Sequence, residues 1–166
     1  MMNVTTPQFR KLLRLISSKT ALFTEMLHEN SINSATPKLL RWLGRTETTE
    51  TNSIVQIGGC DPRRVGAAAR QVYSYCRCTE FNLNFGCPAP STRGRAYGAP
   101  LMKESLLVAN ILKQTLSELK QLDNLCTVTV KCRIGVDELD SYEFLHNFIK
   151  FISEETGVTA FYVHAR

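Results

Sequence analysis

A cysteine in a proline turn is the residue of this chain best suited to chemistry. Cys87 follows the strand-like segment 80–84 and stands between Gly86 and Pro88, which predict a turn and make burial in a core difficult. An ordinary thiol, with a pKa of about 8.5, is protonated at physiological pH and can act as an acid. Nucleophilic use would require a thiolate, which a nearby histidine or arginine could stabilise. The residues leave both roles open.

The loop that follows Cys87 is basic and rich in glycine. Arg93 and Arg95 could contact phosphates, and Gly94 and Gly98 permit the loop to close over a substrate. The alternative is a solvated basic loop without a ligand. Both interpretations predict the same flexibility.

Strand-like runs alternate with helical patterns along the chain. The predicted strands cover 20–26, 53–59, 80–84, 126–133 and 159–166, and the predicted helices begin near residues 7, 35, 62, 103 and 140. This alternation predicts an α/β fold with a parallel sheet covered by helices. An open doubly wound sheet and a (β/α)₈ barrel both satisfy it. A barrel needs eight strands and about 250 residues, so in that case the chain would carry part of one.

Polar side chains stand at the carboxyl end of nearly every predicted strand. In a parallel α/β fold these ends share one edge, where working residues gather. The residues concerned are Glu25 beside Met26, Gln56, Asn84, Lys131 with Arg133, and His164 with Arg166. A common site is favoured, although Lys131 could instead reach solvent and His164 could be a structural histidine.

Composition narrows the classes of function. The 166 residues carry a net charge of +5 and have a pI of about 9.0, which permits nucleic acid as a partner. No C-x₂-C pair occurs among the six cysteines, so a metal site is not expected, and the other five are interpreted as small apolar fillers. No apolar run predicts a membrane span, and no signal peptide is evident, so a cytoplasmic location is expected. The basic N-terminal segment leaves an organellar location as the alternative.

The segment FNLNFGCPAPSTRGRAYGAPLMKE closely resembles the signature of the tRNA-dihydrouridine synthases, N-x-N-x-G-C-P followed by G-x-x-G-A-x-L-M. IVQIGG resembles the third strand of that family, VTVKCRIGVDELDSYEFL its fifth and FYVHAR its sixth. The last two look most like the bacterial A-type branch. The resemblance covers most of the chain.

The resemblance implies an FMN enzyme on a TIM barrel with a small C-terminal helical domain. In the family, NADPH reduces FMN, hydride passes to C6 of a tRNA uridine, and a cysteine protonates C5. Carried over by position, Cys87 would be that general acid. Five residues match flavin contacts of the family: Met1, Met2, Gln56, Lys131 and His164. Asn84 matches a position near the substrate base, Arg166 follows the histidine of H-A-R, and Arg93 and Arg95 would hold tRNA phosphates.

The resemblance further implies that residues 1–166 form a partial FMN-binding barrel domain, about strands two to six with the tail of strand one. The later strands, which carry phosphate-binding motifs, and the helical tRNA-binding domain would lie outside it. We therefore expect weak flavin binding and no turnover from these residues alone. Two alternatives are another FMN barrel that acts on a small molecule, and an inactive paralogue that binds RNA or a protein partner.

Overall fold

The computed structural model describes residues 2–34, 36–44, 53–88 and 97–165, which form alternating helices and strands. The strands of this part are β1 (Leu22–His28), β2 (Ser53–Gly58), β3 (Glu80–Asn84), β4 (Thr127–Arg133) and β5 (Phe161–His164). The α-helices are α1 (Pro7–Ile16), α2 (Glu29–Ser34), α3 (Thr36–Leu43), α4 (Pro62–Cys76), α5 (Ser105–Lys120) and α6 (Tyr142–Thr156), and a 3₁₀ helix spans Ala99–Lys103. The predicted 45–53 polar loop lies almost wholly outside the described residues.

The strands form one parallel sheet in the order β1-β2-β3-β4-β5. Each strand pairs with the next one in the chain. A doubly wound sheet reverses its strand order near the middle, whereas a (β/α)₈ barrel proceeds in one direction throughout. The sheet is therefore five consecutive strands of a barrel, and the open doubly wound alternative is wrong.

The two faces of the sheet differ in polarity. On β4, Val128, Val130 and Cys132 are buried, whereas Thr129 and Lys131 alternate with them and are only half-buried. Since successive side chains of a strand point to opposite faces, the apolar set packs under the helices and the polar set faces the barrel interior. The apolar core between sheet and helices thus fixes which residues reach the interior.

Three helices begin where their sequences predict. Thr6 caps α1 by accepting a hydrogen bond from the backbone N–H of Phe9, and Asp61 caps α4 by accepting from that of Arg64. Ser141 caps α6 in the same way. A side-chain oxygen at this position satisfies a backbone donor that the helix leaves unpaired.

Strand β1 and the segment after it depart from the sequence prediction. The strand continues two residues past Met26, and its pairing with β2 is irregular between Phe23 and Met26. The short α2 was not predicted, because ENSINS has weak helix propensity; its burial of Ile32 stabilises it instead. No helix in the described part of the chain is long and apolar enough to cross a membrane.

Candidate active site

A pocket of about 780 Å³ opens at the carboxyl ends of the strands. Eight residues singled out from the sequence line it: Met2, Met26, Gln56, Asn84, Cys87, Lys131, Arg133 and His164. Pockets of 300 to 1,000 Å³ are typical of sites for small molecules and cofactors. The structure therefore brings together residues that are up to 162 positions apart, Met2 and His164 being the extremes.

Strand register explains why these side chains meet. Gln56 on β2 pairs with Asn82 on β3, which pairs with Thr129 on β4, so the three lie in one row across the sheet. Asn84 and Lys131 form the next row, one layer nearer the pocket mouth. Side chains two residues apart share a face, and each row therefore points into the barrel interior.

Hydrogen bonds join the amides of the first row to the second. Gln56 Nε2 donates to Asn82 Oδ1 over 2.9 Å, and Asn84 Nδ2 donates to Gln56 Oε1 over 3.0 Å. Asn82 Nδ2 in turn donates to Thr129 Oγ1 over 2.9 Å. These amides are buried, and burial of a polar group is costly unless it is hydrogen-bonded. The contacts remove that cost and hold the interior side chains in place.

The turn that carries Cys87 is held by one hydrogen bond on each side, from a side chain before it and from the backbone after it. Asn84 Oδ1 accepts a hydrogen bond from the backbone N–H of Gly86 over 3.0 Å, which bends the chain directly after β3. The carbonyl of Cys87 accepts from the backbone N–H of Ala99 over 2.9 Å and so joins the two ends of the intervening loop. Cys87 is half-buried and faces the pocket.

Gly86 is required at this turn for space. A Cβ atom there would stand 2.9 Å from the carbonyl carbon of Cys132 on β4 and 3.1 Å from its Cα. Backbone atoms in a central strand cannot easily yield. The glycine therefore lets the turn lie against β4 and sets the height at which Cys87 enters the pocket.

The remaining cysteines lie outside this pocket. Cys126 and Cys132 are buried in the core, as apolar fillers would be, and burial raises the pKa of the Cys132 thiol to about 11. Cys60, Cys76 and Cys78 are only half-buried. All three pack against the apolar core, which fits their interpretation as fillers.

Two cations stand at the mouth of the pocket on β4. Within the described part of the chain, no hydrogen bond or ion pair of the structure engages the side-chain nitrogens of Lys131 or Arg133. A half-buried cation without a protein partner is well placed to meet a negatively charged ligand. Arg133 also borders a second cavity of about 530 Å³ that contains Asp137 and Asp140.

The N-terminal segment brings Met2 to the pocket from a turn over residues 2–5. The backbone N–H of Asn3 donates to Glu25 Oε1, and the buried guanidinium of Arg10 donates to the carbonyl of Thr5 over 2.6 Å. Glu25 was expected to face the common site because β1 was thought to end there. Instead it is buried and anchors this segment, so that expectation is wrong.

Four residues assigned from the resemblance, Met1, Arg93, Arg95 and Arg166, lie outside the described residues. Conversely, the pocket contains residues that sequence reasoning did not place in the site: Phe23, Thr24, Gly86, Pro88 and Tyr162. For Tyr162 the signal was present. It lies two residues before His164, which places the pair on one face of the strand.

Comparison with known proteins identifies the family. The family model described as "Dihydrouridine synthase (Dus)" matches residues 1–166. The chain belongs to the dihydrouridine synthase family. It is 36% identical over 168 residues to a "tRNA-dihydrouridine(20/20a) synthase" of Pasteurella multocida, with the whole chain and 47% of that protein covered.

Two further relatives carry the same name. The Vibrio vulnificus protein is 35% identical over 153 residues, covering 92% of this chain and 44% of the relative. The Escherichia coli K12 protein is 34% identical over 168 residues, covering all of this chain and 45% of the relative. The chain therefore spans somewhat less than half the length of these curated relatives.

Proposed function

We propose that the protein to which this chain belongs reduces a uridine of tRNA to 5,6-dihydrouridine, with FMN as the bound cofactor and NADPH as the reductant. The observation that carries the proposal is the placement of the Cys87 thiol and the Lys131 ammonium, which has no hydrogen-bond partner among the described residues, in one pocket. A proton donor and a cation at one site are what an addition of hydride and proton across a double bond requires.

The lining of the pocket fits a flavin. Apolar walls come from Met2, Phe23, Met26 and Tyr162, and a tricyclic ring needs such surfaces on its faces. Lys131 would hold the edge of the ring on which negative charge develops during reduction. Gln56 and His164 would supply further hydrogen bonds at the ring edge. When bound, FMN would supply the hydride that the side chains of this chain cannot provide.

Cys87 would act as the general acid. Its Sγ–H gives a proton to C5 of the uracil ring as hydride reaches C6, so that the double bond becomes a single bond. The thiol becomes a thiolate and regains a proton from solvent before the next turnover. The two-point anchoring of its turn, by Asn84 and by Ala99, holds this donor at a fixed height above the pocket floor.

A tRNA substrate accords with the charge of the protein. The net charge of +5 attracts a polyanion, and Arg133 and His164 stand at the rim of the pocket. A uridine must leave its stack to reach a thiol inside a pocket, and that favours unpaired loops of RNA over duplex. Arg93 and Arg95 would add phosphate contacts, and a cytoplasmic location would supply both tRNA and NADPH.

The test is an assay of the purified full-length protein with NADPH. Unmodified tRNA transcript is compared with free uridine and with a small enone, and dihydrouridine is measured by mass spectrometry of the digested RNA. We expect dihydrouridine in the tRNA alone. Reduction of the enone without reaction of tRNA would show instead a flavin enzyme for small molecules, and RNA binding without any reduction would show an inactive paralogue.

A further inference from the structure

A series of hydrogen bonds, here called the amide chain, joins the side chains of Asn84, Gln56, Asn82 and Thr129 in that order. The amide chain has a fixed direction, because a backbone group terminates each of its ends. At the upper end the backbone N–H of Gly86 donates to Asn84 Oδ1. At the lower end Thr129 Oγ1 donates to the carbonyl oxygen of Phe81 over 3.2 Å. A backbone N–H can only donate and a carbonyl can only accept, so neither end can be reversed.

These two fixed ends determine which atom of each side chain between them donates and which accepts. Asn84 uses its oxygen for Gly86, and therefore presents Nδ2 to Gln56 Oε1. Gln56 then presents Nε2 to Asn82 Oδ1, and Asn82 presents Nδ2 to Thr129 Oγ1. Turning the carboxamide of Gln56 alone would set oxygen against oxygen at Asn82 and nitrogen against nitrogen at Asn84.

Burial removes the alternatives to these hydrogen bonds at Asn82, in the middle of the amide chain. Asn82 is 0% exposed, so water cannot replace either of its hydrogen bonds, and a buried amide left without a partner is costly. Gln56 is 8% exposed and does line the pocket. Asn82 does not line the pocket, and among the described residues its side chain is joined to a pocket residue by the hydrogen bond to Gln56.

We propose that Asn82 is a positioning residue: it locks the carboxamide of Gln56 so that a ligand meets one N–H and one oxygen lone pair in a fixed order. The proposal rests on the proposed function, in which that ligand is FMN. The pyrimidine edge of a flavin alternates carbonyl oxygens with N–H, and a fixed order on the protein side matches such an edge in one pose. A freely rotating amide would lose part of that selectivity, and ordering it on binding would cost free energy.

A double-mutant cycle in the full-length protein tests the route through Gln56. Asn82→Leu removes both hydrogen bonds at similar volume, and FMN affinity is measured by fluorescence titration of Asn82→Leu, Gln56→Leu and the double variant. We expect Asn82→Leu to weaken FMN binding about 10-fold, the equivalent of one hydrogen bond. In the Gln56→Leu background the same change should have no further effect. An equal loss in both backgrounds, or no loss in the first, overturns the proposal.

A second variant and a second measurement keep the proposal testable if Asn82→Leu does not fold. If Asn82→Leu fails to fold, Thr129→Val takes its place in the cycle, because it removes the acceptor that fixes Asn82 and is expected to act in the same direction.

Exchange of the Gln56 side-chain amide protons, followed by NMR without ligand, tests directly whether the Gln56 carboxamide is held in one orientation. Slow exchange in the wild type and fast exchange in the variant support it, and fast exchange in both overturns it. A wild-type protein with a slow-exchanging Gln56 that binds no FMN would refute the proposed cofactor but not the lock.

Discussion

The ring of Phe23 on β1 meets the ring of Tyr162 on β5 edge-on, with centroids 5.1 Å apart and an interplanar angle of 87°. In a flat sheet, four strand spacings of about 4.8 Å would separate these strands by roughly 19 Å. The contact therefore shows that the five strands curl until the first and last face each other. The two rings close one side of the pocket above the amide chain.

The first prediction concerns this aromatic wall. Tyr162→Leu should weaken FMN binding about 10-fold, because an edge-to-face pair contributes about 1 kcal/mol beyond its buried area and the substitution also removes a flat surface from the pocket. Fluorescence titration of the full-length protein measures the loss. Tyr142→Leu is the matched control, since that tyrosine is 76% exposed on α6 and outside the pocket lining. Equal effects of the two substitutions would contradict the assignment of the wall.

The second prediction concerns the cation on β4. Lys131→Met keeps the length of the side chain but removes the charge proposed to stabilise reduced flavin. We expect flavin reduction by NADPH to slow about 100-fold, the cost typical of removing one preorganised electrostatic partner. Stopped-flow absorbance of the flavin measures it, with Lys120→Met at the exposed end of α5 as the control. An unchanged reduction rate would refute the role of Lys131.

The third prediction tests the turn before the thiol. Gly86→Ala should force the turn away from the backbone of Cys132 and lower the rate of dihydrouridine formation by at least about 10-fold, since small displacements of a positioned group are costly. Single-turnover kinetics separates this from weaker tRNA binding. In the control Gly66→Ala, the added Cβ would stand 3.1 and 3.2 Å from the Cγ atoms of Gln114 and Glu118, which can shift, and at an ordinary contact distance of 3.5 Å from the carbonyl oxygen of Gln114, so activity should persist. A fully active Gly86→Ala protein would contradict the argument from space.

The fourth prediction is a pH dependence of stability at Glu29. This carboxyl is 3% exposed, and Oε2 has no hydrogen-bond partner among the described residues. Burial raises its pKa, while a backbone hydrogen bond from Asp61 opposes that shift. The folded state therefore holds the proton more tightly than the unfolded state, whose carboxyl has a pKa of about 4.3. The stabilising effect is complete below about pH 4.3 and is lost as pH rises through the folded pKa.

Glu29→Gln removes this titration. Relative to wild type, the variant should gain free energy of unfolding as the pH rises above about 4.3, by about 1.4 kcal/mol for each unit by which the pKa is raised. Urea unfolding at several pH values measures the difference. Glu138→Gln, at an exposed position after β4, is the matched control. A parallel shift of both variants would show that the Glu29 carboxyl does not titrate as described.

Local signals in the sequence were sufficient for much of the fold. β3 and β4 were predicted to within one residue, because each is a short run with buried apolar residues, such as Phe81 and Val130, between segments that do not continue the strand. The irregular pairing of β1 was not predictable, since it depends on the neighbouring strand. Glu25 was misplaced for the same reason: one extra residue in a strand moves the following side chains to the other face.

The site was predictable as a set of positions but not as a network. Period-two spacing places Asn82 and Asn84 on one face, yet the sequence could not show that Gln56 lies between them in space. Cross-strand register decides that, and register is a property of the assembled sheet. The proposed role of Asn82 depends on the order of donors and acceptors between the two terminal backbone groups, which the sequence does not contain.

The acid role of Cys87 is the central claim, and one measurement tests it most directly. In the full-length protein, Cys87→Ala is reduced with NADPH and then mixed with tRNA, while flavin absorbance and dihydrouridine are followed in the same sample. We predict reduction at the wild-type rate with dihydrouridine formation slowed by at least about 100-fold. The Cys60→Ala control, at a half-buried cysteine outside the pocket lining, should retain both. Wild-type dihydrouridine formation by Cys87→Ala, or loss of flavin reduction along with it, would contradict the account.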